Sequence, residues 1–490
     1  MALSFALHND LLWRIFDIVA SGEDDWFPDS HPLQTLFHVS HTCAVWRDII
    51  LSSPSLWAKC LNFDIIRTKE LRTEVIRRTG NAPLYITRRH ASGHSDVEME
   101  FADFLKHNWH RIRSVVSAIS VAIEEKILEI LSLPAPILVY FGFRKASDEG
   151  DKPLVTFQAQ TRENIVIFGG GAPCLQELYL ETYAFYPRSI MFCTQPFPQL
   201  RSLKIHAVFN AEELLETLRS TPLLESLDFQ LSNPHFARER VVTDGIISPF
   251  SSTKVALPCL KNLHVYTDHT LPDAITFLDR LDIETHFALS FQATANMIPR
   301  EDVVRLARIL SVLFRHSGGN ISDEDIPFVV NVDTSYIYIS SGLMGFNMRL
   351  STARHSFIEG ISSLLQPFIN SPYFHAAKSL ILFGHHDSIR NLLASLTSVK
   401  ILHVSYEDFA VISKWSGELH GCGELLPALE ELEFSVMNDG PALEVLLLQF
   451  ADNRIARYGL PLRATYCAEG SMVWEYDPMS PYTTDGGDLI

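Results

Sequence analysis

Apolar and polar positions along the chain fall into a short phrase that recurs: proline, one residue, leucine, two residues, leucine, one residue, then an apolar residue. It reads PCLQELYL from Pro173, PQLRSLKI from Pro198, PLLESLDF from Pro222, PCLKNLHV from Pro258 and PALEELEF from Pro427. VKILHV from Val399 fits without the proline. The last two apolar positions lie two residues apart, which puts both on one face of a strand with polar residues on the other. Between the phrases lie helical stretches at 211–220, 272–281, 386–395 and 441–450, with Asn210 and Asp387 or Ser388 as candidate caps. Accidental Leu-x-x-Leu spacing in helices explains one or two copies, not five with the same leading proline.

Equivalent leucines recur at 25 residues from Leu175 to Leu200, 24 from Leu200 to Leu224 and 36 from Leu224 to Leu260, where an insertion is required. Repeats of about 20–29 residues, one strand and one helix each, are those of leucine-rich repeats, whose stacked strands build a parallel sheet. Upstream the phrase fades into degenerate copies around Pro134–Phe141, Arg111–Val115 and Ala82–Ile86. No clean copy occurs over 266–376, where 301–316 reads as a strong helix and 328–340 alternates like a single strand.

The first sixty residues follow another pattern. Leu11, Ile15 and Ile18 share one helical face, and Leu12, Phe16 and Val19 widen it, behind a cap at Asn9 or Asp10. Gly22 and an acidic loop to Pro28 end that helix. A second fits 32–40 with Pro32 in its first turn and Leu33, Leu36, Phe37 and Val39 apolar. A third fits 42–51 with Val45, Trp46, Ile49 and Ile50 inward, and Pro54 ends it. Three short helices bury little surface alone, so their wide apolar faces need a partner or the following domain.

Composition narrows the classes. The chain has 490 residues, 47% hydrophobic and 20% charged, which fits folded domains. Its net charge of −18 disfavours nucleic acid or an anionic membrane as a partner. The seven cysteines are scattered, and no Cys-x-x-Cys occurs, so neither a disulfide framework nor a cysteine-pair zinc site is read. The opening MALSFALHNDLLWRIF lacks a basic stretch and a cleavage signature, and no apolar run has membrane-spanning length. The sequon at Asn320 is therefore taken as chance.

Chemistry was sought and weighed. Gly169–Gly171 follows a strand-like stretch, as a phosphate-binding turn does, but Pro173 and a strand follow where a helix is needed. His38, His41 and Cys43 are close in sequence without an evident fourth metal ligand. No catalytic motif is present, and no cofactor is implied. The 31 phenylalanines serve as core filling or as binding anchors, with core filling favoured.

One ordered set of residues resembles the F-box: Leu7, Ile15-Phe16, Val39, Cys43, Trp46-Arg47 and Pro54-Ser55-Leu56-Trp57. His8 stands where that family has a proline that touches its adaptor. The Arg78-Thr79-Gly80-Asn81-Ala82-Pro83-Leu84 segment and the degenerate repeats extend the resemblance to the F-box proteins of mushroom-forming (agaricomycete) fungi. It implies an α/β chain: a three-helix F-box at 1–60, a connecting segment with degenerate repeats at 61–135, an irregular leucine-rich-repeat-like solenoid with parallel strands and convex-side helices at 136–465, and a tail at 466–490. It further implies a non-catalytic, cytoplasmic or nuclear subunit of an SCF-type cullin–RING ubiquitin ligase. In it, Leu7, His8, Leu11, Leu12, Ile15, Phe16, Val39, Cys43, Trp46, Leu56 and Trp57 would contact a Skp-type adaptor, and the repeats would hold a protein substrate. The alternative expectation is an F-box-like interaction scaffold outside the ligase.

Overall fold

The computed structural model describes residues 8–21, 31–90, 95–120, 123–145, 165–169, 171–181, 190–191, 197–206, 211–231, 254–268, 271–283, 287–295, 298–316, 328–333, 336–341, 346–352, 361–370, 372–384, 388–418, 425–434, 440–458 and 462–466. It is α/β, with mostly parallel strands. The chain divides into two compact units, Met1–Gln230 with Pro234–Asp244, and Leu231–Asn233 with Gly245–Ile490.

The first unit opens with four helices, α1 (Asn9–Ala20), α2 (Pro32–Ser40), α3 (Ala44–Leu51) and α4 (Pro54–Lys59). Three had been expected. Pro54 does end the third, but it also starts the fourth, because its missing N–H and fixed φ suit a first helical turn. Then come β1 (Leu61–Asn62), α5 (Lys69–Arg78), β2 (Leu84–Arg88), α6 (Ser95–Asn108), β3 (Ile112–Ile119), α7 (Glu124–Leu131), β4 (Tyr140–Lys145), β5 (Ile165–Val166), β6 (Glu177–Glu181), β7 (Ile190–Met191), β8 (Ser202–His206), α8 (Ala211–Arg219) and β9 (Ser226–Leu231). Strands β1, β2, β3, β4, β6, β8 and β9 pair in that order, all parallel. β5 and β7 form a separate short pair. The faded copies at 82–86, 111–115 and 134–141 thus lead into β2, β3 and β4 of the same sheet.

Register aligns the phrases. Ile86, Val115, Phe141, Leu178, Leu203 and Leu227 face each other in one row, all buried. The proline has a local role. The N–H of the leucine two residues on donates to the carbonyl before the proline: Leu175 to Ala172 at 3.1 Å, Leu200 to Phe197 at 3.1 Å, Leu224 to Thr221 at 3.2 Å, Leu260 to Leu257 at 3.2 Å and Leu429 to Leu426 at 3.1 Å. Proline sits at the second position of each four-residue turn, where its fixed φ is favoured. The turn delivers the leucine into the core and aims the chain along the next strand.

The second buried row ends in a charge: Arg88, Ser117, Phe143, Leu180, Ile205, Phe229. Arg88 pairs with Glu98 of α6, lies over the Phe101 ring at 4.6 Å, and Ser120 Oγ donates to Glu98 Oε2 at 3.0 Å. Phe168 and Gly169 cap the end of α7. The Phe168 and Gly169 N–H groups donate to the Leu131 and Ser132 carbonyls, and a Cβ on Gly169 would lie 2.3 Å from the latter. Gly170 lies outside the described residues. A phosphate-binding reading finds two of its donors already spent.

The second unit runs β10 (Val255–Ala256), β11 (Asn262–Asp268), α9 (Leu271–Asp279), β12 (Leu281–Asp282), β13 (Ala288–Ala295), α10 (Arg300–His316), β14 (Phe328–Asp333), β15 (Tyr336–Ser341), β16 (Phe346–Thr352), α11 (Ile361–Ile369), α12 (Pro372–His375), β17 (Ser379–Phe383), α13 (Ser388–Ser395), β18 (Ile401–Val404), α14 (Tyr406–Glu418), β19 (Glu431–Phe434), α15 (Gly440–Tyr458) and β20 (Arg463–Tyr466). β10 and β12 pair apart from the main sheet. The others run β11-β13-β16-β15-β14-β17-β18-β19-β20. The single strand read at 328–340 is two, β14 and β15, antiparallel, and β16 completes a meander between the parallel partners β13 and β17. The stretch without clean phrases therefore lies inside this sheet. Val265, Phe291, Met348, Ile339, Val330, Leu382, Val404 and Phe434 form its buried row across parallel and antiparallel pairs alike. The caps expected at Asn210 and Asp387, the loop 22–28, the sequon at 320 and the tail after 466 lie outside the described residues.

Glu98→Ala leaves the Arg88 guanidinium buried without its carboxylate, a change that costs about 3–5 kcal/mol. Urea unfolding followed by circular dichroism should show a clear drop in the midpoint. An unchanged midpoint would mean that this pair contributes nothing to the first unit.

Candidate partner-docking face

The four N-terminal helices present two apolar stripes on α1. Leu12, Phe16 and Ala20 are buried, and Phe16 meets the Trp46 ring of α3 edge-on at 5.7 Å. Leu11, Ile15 and Ile18 are 52%, 45% and 68% exposed. At about 100° per residue, this second stripe lies roughly 130° round the helix from the first. The sequence joined both stripes into one wide face, but only one of them is core.

Burial reassigns several other residues. Val45, expected inward, is exposed, as are Leu51 and Cys43. Val39 and Trp46 are half-buried, and Leu56 and Trp57 are buried. Leu7 lies outside the described residues. The structure thus separates the expected contact set: Leu12, Phe16, Leu56 and Trp57 hold the helices together, while His8, Leu11, Ile15 and Cys43 face solvent. Ile18, Val45 and Leu51 were not among the expected residues. Their signal was apolar character at exposed positions, which only burial reveals.

His8 caps α1, not Asn9 or Asp10. Its Nδ1 accepts the Asp10 N–H at 3.4 Å, its ring lies 3.3 Å from the Asp10 carboxylate, and its φ of −62° is within the range a proline ring imposes. His31 does the same for α2, accepting from the Leu33 N–H at 3.1 Å.

Trp57 of α4 joins α2, α3 and α5. Its Nε1 donates to the Ile50 carbonyl at 2.8 Å, Phe37 meets it edge-on at 5.6 Å, and the Arg78 guanidinium lies over it at 4.6 Å. Lys59 of α4 closes the other side, donating to Asp17 Oδ1 at 2.6 Å and Ser21 Oγ at 2.8 Å. The 78–84 segment gains a physical reading here. Arg78 covers Trp57, Gly80 takes a φ of +48° beyond the end of α5, and Arg111 binds the Gly80 and Ala82 carbonyls ahead of β2. Glycine enters that left-handed conformation without the penalty a side chain brings.

Arg78 is itself held by Glu74, at 2.7 Å, and Arg77 grips the same carboxylate. Hydrogen bonds from Arg77 and then Arg78 hold the Glu74 carboxyl down to about 2. His38, His41 and Cys43 form no metal site: among the described residues no cluster of three or more His, Cys, Asp or Glu side chains could hold an ion. Among those residues no helix is long and apolar enough to cross a membrane.

A depressed folded-state value means that the Glu74 contribution is complete above the carboxyl's ordinary value, about 4.3, and fades as pH falls through about 2. A side-chain carboxyl NMR titration should therefore give Glu74 a midpoint of about 2. A midpoint near 4 would contradict the Arg77–Glu74–Arg78 arrangement. In a second test, Phe16→Ala should destabilise the first unit by about 3–5 kcal/mol, whereas Ile15→Ala, one position away, should change it by less than about 1 kcal/mol in thermal or urea unfolding. Equal effects would contradict the division into a buried and an exposed stripe.

No protein-family model matches the chain, and no curated protein matches it.

Proposed function

We propose that the chain is the substrate-recognition subunit of an SCF-type cullin–RING ubiquitin ligase. The N-terminal helices act as an F-box that docks on a Skp-type adaptor and through it a cullin. The strand-and-helix array acts as a leucine-rich-repeat-like solenoid that holds a protein destined for ubiquitin-dependent degradation. The chain supplies proximity and makes no bonds of its own. Its workplace is the cytoplasm or the nucleus.

The observation that carries this reading is the exposed Leu11–Ile15–Ile18 stripe, on a helix whose opposite side is already committed to core. Removing such a stripe from water contributes on the order of a few kcal/mol, enough to help hold a permanent partner. The order of the F-box-like residues supports it, as does the position of this cluster ahead of stacked parallel strands. A second reading, a scaffold working outside the ligase, is favoured by His8, which replaces an adaptor-contacting proline of the F-box pattern.

The test is co-purification of the full chain with a Skp-type adaptor. The wild-type chain should retain the adaptor, and Leu11→Asp with Ile15→Asp should lose it while keeping its unfolding midpoint. Retention by the charged variant would sink the docking assignment. No retention by the wild type, with capture restored by His8→Pro, would favour the scaffold reading. The His8 φ already suits that replacement.

A further inference from the structure

Outward-facing residues of the second unit's sheet also form rows. One runs Tyr266, Gln292, Arg349, Tyr338, Asn331, Phe383 across β11, β13, β16, β15, β14 and β17, each directly opposite the next. Sequence separation hides it, since the meander reverses the spatial order of three strands. Arg349 and Phe383 are exposed and the other four half-buried. Phe383 is held in place by Gly384, whose φ is +88° and whose Cβ, if present, would lie 2.1 Å from the Val332 carbonyl oxygen.

Several outward-facing cations of these sheets meet carboxylates, whereas Arg144 of β4 donates to the Arg89 carbonyl at 2.7 Å. On the first unit's outward face Lys204 and His206 both meet Asp228, at 3.1 and 3.2 Å. Burial pushes the Asp228 carboxyl up, but hydrogen bonds from His206 and Lys204 outweigh it and hold it below its ordinary value. In the second unit His403 meets Glu433 at 2.6 Å and Lys400 meets Glu430 at 2.7 Å. Arg349 lies over the Tyr336 ring at 5.4 Å, and its row neighbours are a carboxamide and a phenol. Among the described residues none pairs a carboxylate with it.

We infer that this row is a binding site for an extended peptide segment of a partner protein, with one glutamate or aspartate side chain of that segment paired to Arg349. An exposed guanidinium beside amide and hydroxyl donors is complementary to a single carboxylate, which it can grip with two parallel hydrogen bonds. A phosphoryl group, nearly dianionic, is characteristically met by a cluster of arginines, and this row has one. Tyr266 and Phe383 offer aromatic surface at the two ends. With strands about 4.8 Å apart, Arg349 lies roughly 10 Å from the first and 14 Å from the second, or about three and four residues of extended chain. The segment is therefore apolar at both ends with its acid between, nearer one end.

As the substrate class, this inference rests on the proposed ligase role. The binding itself is tested independently of it. A positional-scanning array of dodecamer peptides is probed with the full chain. An acidic residue should be selected at one position, with large apolar residues about three and four positions to either side, and binding should fall about tenfold when that acid becomes its amide. Arg349→Glu should select lysine or arginine there instead. Phe383→Ser should lose one apolar preference and keep the acidic one. Both variants should keep the wild-type melting curve. No acidic selection, the same selection by Arg349→Glu, or phosphoserine preferred over glutamate would each overturn the inference. Adaptor co-purification on the same preparations separates the two claims. Retained adaptor without acidic selection removes the peptide site alone, and acidic selection without adaptor removes the ligase role alone.

Discussion

Each unit depends on one constraint: its strands bury a single face. In the first unit the row from Ile86 to Leu227 is buried on one side, where the Trp109 and Phe168 rings meet Phe141. With a period of two, a slip of one residue on any strand would turn its leucines outward and its lysines and aspartates inward. Register is thus fixed by burial, and the proline turns before β6, β8, β9, β11 and β19 set where each strand begins. Strand direction is not what matters. In the second unit the meander reverses β15, yet Val330, Ile339 and Met348 keep the buried row continuous. The irregular stretch obeys the same rule as the phrases by other means.

One-sided burial leaves the opposite face mostly polar among the described residues, and local chemistry differentiates it. Where cations and carboxylates sit on adjacent strands, as with Lys204, His206 and Asp228, the face neutralises itself and has little left to offer a partner. Where a cation has amides and rings beside it and no carboxylate among the described residues, as with Arg349, it is left for a partner to neutralise. The helical cluster follows the same logic. α1 has two apolar stripes and only one neighbour-facing side, and Phe16 fills it against Trp46. The Trp57–Arg78 stack then joins the cluster to α5, and the second stripe of α1 stays exposed.

Much of this was legible. The recurring phrase located β6, β8, β9, β11 and β19, because leucine spacing and turn proline are local and physically determined. The helix at 301–316 was correct to within one residue at its start. Other features were not legible, for definite reasons. Period-3.6 spacing marks both Leu12–Phe16 and Leu11–Ile15 as apolar stripes and cannot say which one meets α3. His8 was passed over because histidine is not a preferred cap, although its Nδ1 accepts an N–H as an asparagine oxygen would. The β14–β15 reversal left no mark, since residues 333–336 contain neither glycine nor proline. The Arg349 row draws on residues from 266 to 383, and only the pairing of strands brings them together.

The two exposed features differ in the kind of association they favour. An aliphatic stripe binds without direction and is insensitive to salt, and its strength grows with the area covered. It suits a partner that stays. An arginine awaiting a carboxylate is directional and screened by salt, and it gains little unless water is excluded around it. Alone it gives weak, selective and exchangeable contact, and the aromatic groups at the ends of its row are what can raise that contact to useful affinity. The proposed recognition role would call on both behaviours, a lasting attachment through one surface and turnover through another. Here they arise from two separate consequences of burial, since α1 exposes an apolar stripe beside the one its core takes up, and the second unit's sheet exposes Arg349 on the face opposite its buried row.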